Sequence, residues 1–236
     1  MVRAMLASLP KQLLKAAVRL STQPLPKGSH ITRYAMYQHL ERVFADYVFR
    51  GDLVAGPAVV AGPAVERELR VLSISHSERL VKVFGTVRAT QLAEANYPDA
   101  SILELPFATG EFDLVVSDQV LEHVVGDPQR AIDECHRVLK PGGLALHTTC
   151  LIQPIHKDAR SPADFWRFTP EALRWLCRGF SRVVEVGGWG SPYVWLAVGL
   201  GLRYEPVPHA SWHPLHQLAM SNDPRWPIHT WVAAEK

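Results

Sequence analysis

His156, Asp164 and Arg167 lie eight and three residues apart, a combination with a definite chemical use. An imidazole whose ordinary pKa is near 6.5 can take a hydroxyl proton at neutral pH, and a nearby carboxylate can orient the ring. A guanidinium beside them can clamp a carboxylate or phosphate on a second reactant. The competing reading is structural: Asp164 and Arg167 pair with each other or cap the helix that begins after Thr169-Pro170. A second group, His209, His213 and His216, has spacings of four and three that suit one face of a metal-binding helix. Pro214 interrupts it and no cysteine or carboxylate accompanies it, so no metal is expected. Glu122 and His123 suit helix capping and hydrogen bonding between helices. His147, alternating within an apolar run, reads as a core histidine.

The elements that would position these residues follow a repeating order. Arg70–Ser75 is a strand, and a helix over about 77–84 ends at Gly85, a residue that tolerates the left-handed cap. Thr86–Leu92 is β-branched enough for a second strand, and Ile102–Pro106 leads into a third strand position. Asp113–Ser117 is an unbroken apolar run, as in a strand covered on both faces. Asp127 caps a helix with Pro128 in its first turn, and its buried stripe is Ala131, Ile132, Cys135, Val138 and Leu139. Pro141-Gly142-Gly143 ends that helix before a strand at Leu144–Thr149. A helix from Thr169 to Leu176 follows, then strands at Phe180–Val186 and Ile228–Glu235. This alternation predicts an α/β fold: a Rossmann-like three-layer sandwich whose sheet is mostly parallel, with an antiparallel last strand. Ligands of such sheets bind beyond the carboxyl ends of the strands.

Several segments together carry a family resemblance: Leu105-Pro106-Phe107, Phe112-Asp113, Leu121-Glu122-His123-Val124, Asp127-Pro128, Glu134 and Arg137-Val138-Leu139-Lys140-Pro141-Gly142-Gly143. This series resembles the type 11 (UbiE-like) group of class I S-adenosylmethionine-dependent methyltransferases. Thr148-Thr149, Pro154-Ile155-His156, Pro162–Thr169, Gly188-Trp189-Gly190 and Asn222-Asp223-Pro224 are similar to a subgroup often associated with polysaccharide and cell-envelope pathways. That subgroup has an unorthodox loop after the first strand and a short second crossover. The resemblance covers residues 68–236 and implies S-adenosylmethionine as cofactor. It implies cofactor contacts from Ser73, Ser75 and His76, from Gln91 or Glu94 at the end of strand two, and from Ser117, Asp118 and Gln119. His156, Asp164 and Arg167 would then serve O-methylation of a small-molecule or glycan-type acceptor. The chain departs from the family where Val71-Leu72-Ser73-Ile74-Ser75-His76-Ser77-Glu78-Arg79 replaces the glycine-rich loop. That departure keeps a second reading open, an inactive scaffold or regulatory subunit of the same fold.

Outside that stretch the chain divides into a basic arm, 1–34, and a helix with a Gly/Pro-containing tether, 35–67. The arm holds Arg3, Lys11, Lys15, Arg19, Lys27 and Arg33 and no acid, and its amphipathic pattern suits packing on its own domain, on a second subunit (a homodimer among the options), or on a membrane surface. In all, 236 residues with a net charge of +2 give no electrostatic case for a nucleic-acid partner. Cys135, Cys150 and Cys177 are isolated, as expected of a reduced, cytoplasmic protein. No apolar run approaches the length of a membrane span.

Overall fold

The computed structural model describes residues 2–49, 69–84, 89–156 and 163–236. The expected Ala-Gly-Pro tether over 55–65, the cap at Gly85 and the strand start at Thr86 lie outside the described residues. The elements run α1 (Val2–Thr22), β1 (Lys27–His30), α2 (Tyr34–Phe49), β2 (Leu69–Ile74), α3 (Glu78–Val81), β3 (Ala89–Ala95), β4 (Phe112–Asp118) and α4 (Pro128–Val138). Then come β5 (Leu139–Cys150), α5 (Pro170–Leu176), β6 (Arg182–Trp189), α6 (Pro192–Gly199), β7 (Pro206–Pro208), α7 (Pro214–Met220) and β8 (His229–Glu235). The chain forms two compact units, one of residues 38–188 with 230–236 and one of residues 1–37 with 189–229.

The larger unit is built on a sheet ordered β3-β2-β4-β5-β8-β6. β2 pairs in parallel with β3 and β4, and β4 with β5. β8 runs the other way: Lys236, just past its end, bonds to Gly142 and Gly143 at the start of β5, while Ser181, before β6, bonds to Glu235. One face carries α4 and α5 over Leu72, Val115, Ala145, Val232 and Ala234. On the other face α2 packs, with His39 against Trp231 and Phe44 against Phe84, so the expected three layers and antiparallel last strand are present.

Asp127 caps α4 by accepting from Gln129 N, and the stripe expected for α4 is fully buried. Each Ile or Val in it contributes about 1.5–3 kcal/mol relative to exposure.

Three boundaries differ from the sequence reading. No strand forms at 102–106: the Leu105 N–H donates to Glu134 and its carbonyl accepts from Arg137, so side chains of α4 take the groups a strand would have paired. A single isolated bridge joins Ser101 and Glu104 instead. Pro141-Gly142-Gly143 lies inside β5, because the chain turns extended at Leu139, two residues before the proline, as the clash of a proline ring with a preceding helical turn requires. β6 starts at Arg182, since Phe180 N–H closes a tight turn on Cys177 O.

The smaller unit holds α1, the antiparallel pair β1–β7, α6 and α7. Its core is Ile31, Tyr34, Ala197, Leu202, Val207, Leu215 and Ala219, with Leu14 and Val18 of α1 packed on it. Asn222 and Asp223 lock the chain after β6: Asn222 Oδ1 accepts from Gly190 N, and Asp223 N donates to Gly190 O. Gly190 is at φ +158, and a Cβ there would lie 2.4 Å from Ile228 N, so only glycine fits. The Gly188-Trp189-Gly190 and Asn222-Asp223-Pro224 segments are two halves of one turn.

Candidate functional site

The carboxyl ends of β2, β3 and β4 meet at a turn that lacks glycine yet keeps glycine-like backbone. Ser75 and His76 have φ of 52° and 61°, and Gln119 after β4 has φ of 60°. For side chains other than glycine this costs on the order of 1–2 kcal/mol per residue. The turn is held from both sides. Ser75 N–H donates to Ala95 O, and His76 N–H to Asn96 Oδ1 at 2.9 Å, tying it to the end of β3. The Ser77 hydroxyl donates to Ile74 O and accepts from Asp118 N at 2.7 Å, tying it to the end of β4. Ser73 is buried, and its Oγ accepts from Ser77 N, so it shapes the turn from inside.

β3 ends at Ala95, three residues beyond the expected end. Gln91 is therefore mid-strand, opposite Arg70, and Glu94 is the acid at the strand's end, opposite Ser73. Its carboxylate accepts from Asn96 Nδ2 at 2.8 Å. The side chains of His76 and Glu78 stay solvent-exposed (48% and 38%), as does Arg79. Ligand atoms of His76, Glu78 and Glu94 nevertheless lie within 4.8 Å of one another, which crowds that end of the crevice.

After β4, Asp118 Oδ1 accepts from the Thr148 hydroxyl at 2.6 Å. Gln119 donates from its backbone to Thr148 O and from Nε2 to Thr148 Oγ1. Its Oε1 is buried with no hydrogen-bond partner among the described residues. Ser117 is fully buried and its Oγ lies 2.7 Å from His147 Nδ1, between β4 and β5. Burial lowers the His147 pKa to about 4, so this ring is neutral at physiological pH.

Beyond β5 the second group assembles around Asp164, whose carboxylate is entirely buried. Arg167 grips it with Nη1 at 2.5 Å and Nη2 at 2.8 Å. The His156 N–H donates to Asp164 Oδ2 at 2.7 Å, and His156 Nδ1 lies 3.5 Å from the same oxygen. Burial raises the pKa of this carboxyl, but the bonds from Arg167 and His156 outweigh it and hold the group at about 2. Arg167 also donates to the carbonyl of Trp166. The two residues pair with each other, the arrangement weighed against an acceptor clamp.

The segment carrying them is stitched onto the loop after β4. Phe165 and Trp166 N–H groups donate to Glu122 O, Trp166 Nε1 donates to Val124 O, and His123 Nδ1 donates to Ala163 O. The His123 and His156 rings pack edge to face at 5.0 Å. Glu122 is buried and accepts from the Thr149 hydroxyl. Glu122, Cys150 and His156 bring ligand atoms within 4.8 Å of one another. Burial, then the charge of Glu122, pushes the Cys150 thiol up, so the thiol stays protonated. In the smaller unit, His209 and His216 both bond to the Tyr34 hydroxyl, while His213 caps α7 through Leu215 N.

Ser77, Asn96 and Thr148 hold the turns at these strand ends and were not among the residues expected to form the site. A signal existed for Asn96, an amide just after a strand where a turn must be held. Nothing local gives Ser77 and Thr148 their shared partner, Asp118, because it stands on a different strand.

Residues 52–147 match the family described as "Methyltransferase domain". The ubiquinone biosynthesis O-methyltransferase of Caulobacter vibrioides is 31% identical over 99 residues, covering 42% of this chain and 39% of that protein. The protein of the same name from Azotobacter vinelandii is 28% identical over 193 residues, 76% of each. A SAM dependent methyltransferase from Archaeoglobus fulgidus aligns in structure at a TM-score of 0.48 and 11% identity, over 85% of this chain and 94% of that one. The chain spans only 24–39% of the length of several curated relatives it matches.

Proposed function

We propose that this chain, a member of the type 11 group of class I S-adenosylmethionine-dependent methyltransferases, methylates an oxygen of a small-molecule acceptor. S-adenosylmethionine supplies an activated methyl group when bound. The residues present fit it. Gln119 Oε1 is a buried acceptor with no bond inside the described chain, and it suits an ammonium group. Glu94, at the end of β3, suits a pair of ribose hydroxyls. Asp118, Ser75 and His76 complete the rim. Ser73 and Ser117 support it from behind, and Gln91 lies too far back along β3 to take part. The unpartnered Gln119 oxygen is the observation that carries this reading.

On the acceptor side His156 takes the hydroxyl proton. Asp164 orients it through the backbone bond and the contact at Nδ1, so Nε2 receives the proton. Arg167 is a positioning residue that keeps Asp164 ionised and fixed. Relatives named for ubiquinone biosynthesis favour a phenolic acceptor over a glycan. A phenol is more acidic than a sugar hydroxyl, and a histidine base suits it better.

Calorimetric titration with S-adenosylmethionine and S-adenosylhomocysteine tests the reading. Micromolar binding is expected. No heat and no thermal shift at millimolar ligand would overturn it and leave the scaffold.

A further inference from the structure

The smaller unit has a surface that its own fold leaves unexplained. α6 is eight residues long and almost wholly apolar, yet only Val194 and Ala197 of its interior positions are fully buried. Tyr193 and Leu196, with Leu200 at the helix's C-terminal cap, are spaced three and four and form an outward face with exposures of 65%, 55% and 40%. A surface helix normally turns polar residues that way. Trp195 is also exposed and its ring lies 6.4 Å from that of Trp226. Tyrosine and tryptophan together at an apolar surface suit the boundary between water and lipid, where one end of each ring stays wet.

The charge of the same unit points the same way. Residues 1–37 and 189–229 hold eight Lys or Arg against two Asp or Glu, a net charge of +6, while the rest of the chain carries −4. Both acids are already bonded by arginines, Glu205 by Arg19 and Asp223 by Arg225. The cations adjoin the apolar helix: Lys11 Nζ donates to Gly199 O at the end of α6, and a Cβ on Gly201 would lie 3.2 Å from Lys15 Cε. Among the described residues no helix is long and apolar enough to cross a membrane.

We propose that the exposed face of α6 and the basic residues of α1 form a docking surface for an anionic phospholipid bilayer, entered by the aromatic side chains and not crossed. The juxtaposition argues for lipid over a second copy of the chain, because two such faces brought together would oppose like charges. This surface does not depend on the methyl-transfer reading.

Sedimentation of the full chain with vesicles is the test. Strong binding is expected to vesicles of phosphatidylcholine with phosphatidylglycerol, weak binding to phosphatidylcholine alone, and loss of binding as salt is raised. Trp195 and its neighbours should shift their fluorescence to the blue on binding. Lys11→Glu with Lys15→Glu should weaken partitioning by roughly tenfold or more, and Leu196→Ser with Trp195→Ser should do the same without changing the salt dependence. Protein left in the supernatant with both vesicles, or equal binding to neutral ones, overturns the proposal. So does a dimer in light scattering that those same apolar substitutions dissociate. The wild-type measurement stands even if a variant fails to fold.

Discussion

At the carboxyl ends of β2 and β3 a left-handed turn is held by short, neutral side chains, Ser73, Ser77 and Asn96, whereas beyond β5 the site is held by ionised groups packed out of water. The first side stays open to solvent: His76 and Glu78 are exposed, and serine and asparagine bonds hold the turn. The second side is fixed by a buried carboxylate with Arg167 on one flank and His156 on the other. The contrast separates what glycine does for a turn from what it is needed for. Positive φ can be kept without glycine where neighbouring strands supply enough hydrogen bonds, at a cost in strain. A charged cluster has no such latitude, since losing one partner strands another.

Several measurements would break or sharpen this contrast. His156→Ala should lower turnover by about a hundredfold or more with cofactor affinity nearly unchanged. Equal turnover in steady-state kinetics would remove it as the base. Asp164→Asn keeps the shape but leaves Arg167 uncompensated. It should cost roughly 3 kcal/mol in denaturant unfolding and lower turnover with it; an unaltered midpoint would mean that the buried pair is not holding this side together.

The floor of the site answers to pH. The folded-state pKa of His147 is about 4 against an ordinary 6.5, so the unfolded chain protonates first as pH falls. Its contribution is intact above pH 6.5 and is lost between there and pH 4, up to about 3 kcal/mol. Comparing unfolding of wild type and His147→Gln across that range should show a flatter profile for the variant.

On the open side effects are smaller. Gln119→Leu should weaken S-adenosylmethionine binding by about tenfold, the loss of one hydrogen bond to a charged group, while turnover at saturation changes little. His76→Gly should relieve the left-handed backbone and uncrowd Glu94. Stability should rise by no more than about 1 kcal/mol and affinity a few-fold. A loss of affinity in calorimetry would mean that the imidazole itself contacts the ligand.

Much of the frame was written in local pattern. The apolar run of β4, the Asp127-Pro128 start of α4 and its buried stripe are properties of spacing and capping, which act within a turn or two of the chain. So is the pairing chemistry of Asp164 with Arg167, three residues apart. What local pattern could not give was anything settled by a partner from elsewhere. Leu105 looked extended, but its backbone went to Glu134 and Arg137 of α4. Glu94 rather than Gln91 became the terminal acid because the β3 register is set against β2, and Ser117 turned inward because His147 stands beside it on β5. The amino-acid order thus determined which segments are helix and strand and which groups can ionise. Only the tertiary structure decided which of them face the crevice, because a strand's facing depends on register, and register is fixed by strands distant in the chain.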